Sequence, residues 1–327
     1  MSGYPWFEPA WADFSKRLAS SRLAHGLLIV AEPGAAVAEL ATAMAARLLC
    51  KTPTADDRAC GLCTDCRLQI AGSHPDGFKV GLEANSKGDL SKVIRIDQIR
   101  ELSAQMALTA QRGGRKVALI QPADQLNVEA ANALLKTLEE PPENSYLLLS
   151  SEYPKRLPAT ILSRCQRISV GRISDQALLA WLRTEVGARE DDLTLSLALA
   201  AGPLDARELI RSGALKEARQ VLEQMIKILG GARSPIGWGA ELVKLEPARA
   251  LGWLLSYLRL AIGLRLGLQS GLSGPVNDNI HRLAQARSSA SLCLLLEQLQ
   301  RIILGLKAPL KHDLLIDAWA STLAFPP

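Results

Sequence analysis

Along the first 170 residues, short apolar runs alternate with longer stretches whose apolar positions recur at helical spacing. Gly26–Ala31 (GLLIVA) is apolar at every position, as expected of a strand buried on both faces of a parallel sheet. Glu32-Pro33-Gly34 then reads as a turn, and an Ala/Leu-rich helix is predicted from there to about Cys50. The cysteine-bearing segment that follows has no period and is expected to be loop. Val93–Asp97 (VIRID) predicts a strand, Gln98–Ala107 a helix and Lys116–Gln121 (KVALIQ) another strand. Asn127–Glu140 places Val128, Ala131, Leu134, Leu135 and Leu138 on one face of a helix, which Pro141-Pro142 stops. Tyr146–Ser150 (YLLLS) predicts a further strand, and strand signals end near Val170. Strands alternating with helices imply a parallel sheet covered on both faces.

After about Arg167 the chain is Leu/Ala-rich at helical spacing, interrupted at Gly202-Pro203, Gly230-Gly231, Ser234-Pro235, Gly274-Pro275 and Pro309. The expected organisation is an α/β domain over 1–167, a small helical domain over 168–207 and a helical bundle over 208–327. Two stretches are oily enough to test as membrane spans. Gly26–Cys50 contains Glu32, Glu39 and Arg47, and Leu251–Leu268 contains Arg259 and Arg265. A central arginine costs roughly 2.5–3.5 kcal/mol on insertion scales, so no membrane segment is expected. Met1–Phe14 lacks a basic start followed by an apolar run, so no secretory leader is expected either.

Composition narrows the class. Hydrophobic residues make up 48% and charged residues 22%, which excludes a disordered or collagen-like chain. A net charge of +5 permits contact with nucleic acid without arguing for it, and aromatics at 4% argue against rows of base-stacking rings. The cysteines say more. Cys50, Cys60, Cys63 and Cys66 share one short segment, whereas Cys165 and Cys293 stand alone. A secreted disulfide framework would spread its cysteines, so the clustering points to a metal site in a reducing, cytoplasmic setting. Zinc favours four tetrahedral thiolates, and the C-x-x-C spacing lets two sulfurs reach one ion, with Gly61 easing the turn. Four protein ligands leave no place for water, so the role expected of Zn²⁺ is structural. A redox-active C-x-x-C pair and buried unliganded thiols are the competing readings. His74, in Ser73-His74-Pro75-Asp76, is a possible substitute ligand, with a structural role as the simpler expectation.

The strand–turn–helix near the N-terminus is where a phosphate-binding loop, G-x-x-x-x-G-K-[ST], would lie. The stretch here is Ala31-Glu32-Pro33-Gly34-Ala35-Ala36-Val37-Ala38. Gly34 remains, but Val37 holds the lysine position, Ala38 the hydroxyl position, and alanines replace both outer glycines. Glu32 adds negative charge. The third predicted strand leads into Gln121-Pro122-Ala123-Asp124 rather than an acidic pair that could hold magnesium and orient water. No ATP is expected in this chain's own site.

The run Asn132-Ala133-Leu134-Leu135-Lys136-Thr137-Leu138-Glu139-Glu140-Pro141-Pro142, followed by Ser163-Arg164-Cys165, resembles the clamp-loader branch of the AAA+ proteins that serves bacterial DNA polymerase III. The resemblance covers about 20–170 strongly and the helical remainder more weakly. It implies a RecA-like AAA+ domain (1–167) carrying a zinc module at about 50–66, a small helical lid (168–207) and an all-α collar (208–327). It also implies a five-subunit ring with gamma/tau motor subunits and a delta subunit, acting on a sliding clamp and primed DNA. In such rings ATP lies between neighbours, so Arg164 would be an arginine finger serving the adjacent motor subunit, with Ser163 and Cys165 as motif neighbours. ATP-binding members carry a lid arginine in a G-S-L-R-D-A pattern; Gly202-Pro203-Leu204-Asp205-Ala206 has Asp205 there instead. Two alternatives stand beside a non-hydrolysing ring subunit: an autonomous AAA+ ATPase with a degenerate loop, and a zinc-containing nucleic-acid-binding module.

Overall fold

Strands β1 (Gly26–Val30), β2 (Gly77–Val80), β3 (Lys116–Ile120), β4 (Ser145–Ser151) and β5 (Gln166–Ser169) form one sheet in the order β2-β3-β4-β1-β5. Every neighbouring pair is parallel. In a computed structural model the described residues are 3–84, 88, 90–306 and 311–324, so Pro309 lies outside them. Two compact units are present, Met1–Trp181 and Leu182–Pro327.

The first unit holds the sheet and helices α1 (Glu8–Ala19), α2 (Val37–Leu49), α3 (Thr64–Ile70), α4 (Ile96–Ala107), α5 (Val128–Glu139) and α6 (Ala159–Leu162). The fully apolar runs of β1 and β3 are buried at every position, because helices cover both faces. On one face Leu28, Val30, Ile120, Leu147 and Leu149 pack with Ile99, Leu102 and Met106 of α4 and with Leu134 and Leu138 of α5. The alternate residues Leu27, Ile29, Leu119 and Leu148 are also buried, on the face where α2 lies against β3 and β4 and buries Leu40, Met44 and Leu48. This parallel sheet with helical layers is the architecture the periodicity predicts.

Three local expectations need correcting. Val93–Asp97 is not a strand: Ile94 makes only an isolated bridge to Leu126, and Ile96 already opens α4. The run VIRID is too short to separate period 2 from the helical series Ile96–Ile99 that continues to Leu102 and Met106. Its turn is fixed by the Arg95 N–H, which donates to Gln98 Oε1 at 2.9 Å. The strand that does exist in this region, β2, lies earlier at Gly77–Val80. Only Val80 of its four residues is buried, as befits the sheet's edge, so it gave little apolar signal. Finally, the cysteine segment is not all loop, because Thr64–Ile70 is helical, with Cys63 Sγ accepting the Cys66 N–H at its start.

Helix α7 (Asp175–Val186) spans the division between the units. The second unit is helical among its described residues: α8 (Glu190–Leu199), α9 (Pro203–Arg211), α10 (Leu215–Leu229), α11 (Trp238–Lys244), α12 (Pro247–Arg265), α13 (Gly274–Ala286), α14 (Ser289–Gly305) and α15 (His312–Ala324). Its core gathers Trp238, Trp253, Tyr257, Leu222, Met225, Leu295 and Trp319 around the long helix α12. Helix α11 crosses α15 so closely that a Cβ on Gly239 would lie 2.1 Å from the Asp313 carbonyl oxygen, which requires glycine there. No described helix is long and apolar enough to cross a membrane, and the longest of them, α12, carries Arg259 within its apolar stretch.

Candidate functional sites at the two edges of the sheet

The turn after β1 sits at the edge where the strands end. Gly34 and Ala36 both have positive φ, 72° and 61°, and Ala36 leads into α2. Glycine tolerates that conformation without cost, whereas alanine there is strained. The turn is held from two sides. Trp6, itself buried, donates its Nε1–H to the Ala35 carbonyl at 3.0 Å. Gly34 donates its N–H to Glu152 Oε1, also at 3.0 Å. Val30 lies opposite Ser151 in the β1–β4 register, so the residues following them meet at the same edge. Burial pushes the Glu152 carboxyl above its ordinary range. The Gly34 N–H opposes that shift, while the charges of Asp124 and Glu39 add to it. Asp124 in turn accepts the Ser151 hydroxyl at 2.7 Å, so it stands near this edge. Neither Glu152 nor Trp6 was singled out by sequence reasoning. The signal for Glu152 was its place two residues after a strand predicted to lie in the same parallel sheet.

Arg164 stands at the opposite edge. It lies between α6 and β5, and β5 begins with Gln166 opposite Leu27, the second residue of β1. The Arg164 carbonyl oxygen would be 3.3 Å from a Cβ built on Gly26, where β1 starts. From Gly26 to the turn at Ala31 the chain climbs roughly 17 Å at about 3.3 Å per residue, more than an arginine side chain spans. The guanidinium donates through Nε to Glu139 Oε1 at 2.7 Å and through Nη1 to the Thr160 carbonyl at 3.1 Å. A further Nη1 contact reaches Ser163 Oγ at 3.3 Å, and the side chain keeps 35% of its surface exposed. Ser163 thus supports the arginine. Burial pushes the Cys165 thiol up to about 11, which keeps it neutral and unsuited to nucleophilic attack near pH 7.

The four clustered cysteines converge. Cys50 follows α2, Cys60 and Cys63 flank the turn at Gly61, and Cys66 lies in α3. Their sulfurs all lie within 4.8 Å of one another. The separations are 3.7 Å for Cys50–Cys60, 4.0 Å for Cys50–Cys63 and 3.9 Å for Cys60–Cys66. Four sulfurs at about 2.3 Å from one zinc ion would stand about 3.8 Å apart, so the donor set fits that ion. The Thr52 hydroxyl and the N–H groups of Cys63 and Leu62 pull the Cys60 thiol down to about 6, while burial pushes Cys66 up to about 12. His74 does not join the cluster. Its Nε2 faces Asp65 Oδ1 at 3.3 Å and its Nδ1 accepts the Asp76 N–H at 3.1 Å.

A charged network missed in the sequence anchors this module. Asp65 is buried within α3 and pairs with the Arg112 guanidinium. Burial opposes ionisation there, but Arg112 outweighs it and holds the Asp65 carboxyl below the usual range. Asp76 accepts the N–H groups of Gln111 and Arg112 at 2.8 and 2.9 Å. In the second unit, Asp205 lies in the first turn of α9, where its charge suits the helix start, and accepts the Ala201 N–H just ahead of that helix at 2.9 Å.

The comparisons agree on one family. A family model described as DNA polymerase III, delta subunit, matches residues 7–174. The DNA polymerase III subunit delta' of Pseudomonas aeruginosa is 37% identical over 97% of this chain and 97% of its own. The Escherichia coli subunit of the same name is 35% identical over 92% of this chain and 91% of its own. The DNA polymerase III subunit tau of Bacillus subtilis is 28% identical over 65% of this chain and 35% of its own.

Proposed function

The chain belongs to the DNA polymerase III delta' family, and from that membership we propose that it works as a non-hydrolysing clamp-loader subunit that lends Arg164 to ATP bound by a neighbouring motor subunit. The observation that carries the reading is the placement of Arg164 at the edge of the sheet where the strands begin, with the chain's own turn at the edge where they end. An arginine so placed cannot serve its own turn. It keeps a third of its surface open to a partner. A planar, permanently charged fork suits the oxygens of a transferring phosphoryl group. Supplied in trans, such a group raises hydrolysis roughly 10³–10⁵-fold.

The turn after β1 supports the other half of the reading. Val37 and Ala38 offer neither an ammonium nor a hydroxyl, and Glu152 holds the Gly34 amide that a phosphate would use. The partners that follow are gamma/tau motor subunits, a delta subunit, the sliding clamp and primed DNA, in a cytoplasmic replication assembly. The same reading divides the chain into an AAA+ domain at 1–167, a lid at 168–207 and a collar at 208–327. Cys50, Cys60, Cys63 and Cys66 would hold Zn²⁺. When bound, the ion supplies a cross-link between the end of α2 and the start of α3. Asp65 and Arg112 tie that module to the chain ahead of β3.

The test is a loader reconstituted with motor subunits and either the wild-type chain or Arg164→Ala. Equal co-purification is expected. DNA-stimulated ATP turnover at the interface this chain serves should fall by roughly 10³–10⁵-fold. Equal turnover by the two rings would overturn the role of Arg164.

A further inference from the structure

The turn after β1 is filled as well as stripped. Its Gly34 N–H is already bonded to a carboxylate of the same chain, Glu152 Oε1 at 3.0 Å. The Ala35 N–H is returned to Glu32 O at 3.1 Å. Ala35 and Ala36 are buried, and Trp6 fixes the Ala35 carbonyl from the other side. The amides of Ala36, Val37 and Ala38 have no acceptor among the described residues, so this turn still carries the donors of an anion nest. Glu39 and Asp124 lie close enough to act on Glu152 through their charges. An incoming phosphate would have to displace one carboxylate and approach two more.

We propose that Glu152 is a built-in anion that takes the place of a phosphate on the Gly34 amide and, with Trp6, keeps this turn closed to nucleotide. The proposal rests on the reading of this chain as a subunit that leaves its own site empty, and it names the residue that enforces the vacancy. The chemical class excluded is a polyphosphate; the group that excludes it is one carboxylate reached from the adjacent parallel strand.

The experiment uses the full chain and inorganic pyrophosphate as probe, titrated calorimetrically into wild type, Glu152→Gln and Glu152→Ser. Glutamine keeps an acceptor for Gly34 without the charge; serine removes both charge and reach. Amide exchange at Gly34 reads the contact directly and should quicken in Glu152→Ser. The expected result is no measurable binding by wild type and a gain of roughly tenfold or more in Glu152→Ser, as like-charge repulsion is relieved. Unchanged Gly34 exchange, or silence from all three folded proteins, would overturn the closure by Glu152. Wild type binding as tightly as the serine variant would overturn it as well. None of these results bears on the loader assay of Arg164→Ala, so failure here and failure of the finger are separable.

Discussion

Glu139 holds the guanidinium of Arg164, with Nε 2.7 Å from Oε1, and both side chains remain substantially exposed at 49% and 35%. Glu139 ends α5, in the run that carries the family resemblance, and Arg164 lies in the second motif. The two stretches that are distant in sequence are therefore joined by one ion pair. An exposed pair of this kind is worth about 0–1 kcal/mol. A weak partner suits the exchange of a carboxylate for a phosphate that is proposed for Arg164.

Glu139→Gln should accordingly lower stability by no more than about 1 kcal/mol, with a smaller effect at high salt, where the charges are screened. Urea unfolding at two salt concentrations measures this. A loss several times larger would mean that the pair is structural and that Arg164 is tied down.

Removing metal should separate the cysteine module from the sheet. The strands are buried by Leu, Ile and Val side chains that owe nothing to the cysteines. A chelator is expected to release an equimolar amount of zinc from purified protein. It should speed amide exchange across 50–71 while β1, β3 and β4 keep their protection. Protein purified without zinc, or global unfolding on chelation, would contradict the structural assignment.

What the sequence disclosed and what it hid follow from the range of the interactions. The central strands were legible because burial on both faces writes an unbroken apolar run, as in GLLIVA and KVALI. Helix α5 was legible because one covered face writes a period. Edge strand β2 was not, since one neighbour and a half-open face leave only Val80 buried. Local spacing announced the four cysteines. Glu152 on Gly34, Trp6 on Ala35 and Arg112 on Asp65 join residues 118, 29 and 47 positions apart, and nothing local marks them.

Lys116 opens β3 yet is 3% exposed, and its ammonium is enclosed by backbone. Nζ donates to the carbonyls of Gln105, Met106 and Leu108 at 2.5, 3.0 and 2.5 Å around the end of α4, where Gln105 O also accepts the Leu108 N–H. A cation at that end also opposes the negative pole of the helix. Lys116→Met would fill the volume and abandon the carbonyls. Each acceptor left without a donor costs about 1–3 kcal/mol, so the variant should lose far more stability than a surface substitution. A urea midpoint within error of wild type would show that the buried ammonium does not support α4.

The last prediction concerns pH and the carboxylate on Gly34. Burial, Asp124 and Glu39 raise the Glu152 carboxyl above its ordinary 4.5, against the pull of the Gly34 N–H. A raised value means that the folded chain retains a proton where the unfolded chain gives it up. The group's stabilising contribution is then fully present below 4.5 and is lost as the pH rises through the folded value. Glu152→Gln stays neutral at every pH. The stability of the glutamine variant relative to wild type should therefore increase as the pH rises from 4.5, then level off once wild-type Glu152 is ionised in the fold. Urea midpoints for both proteins across that window measure the difference. A constant or shrinking difference would mean that the carboxylate sits at ease against the Gly34 amide, unopposed by its acidic neighbours.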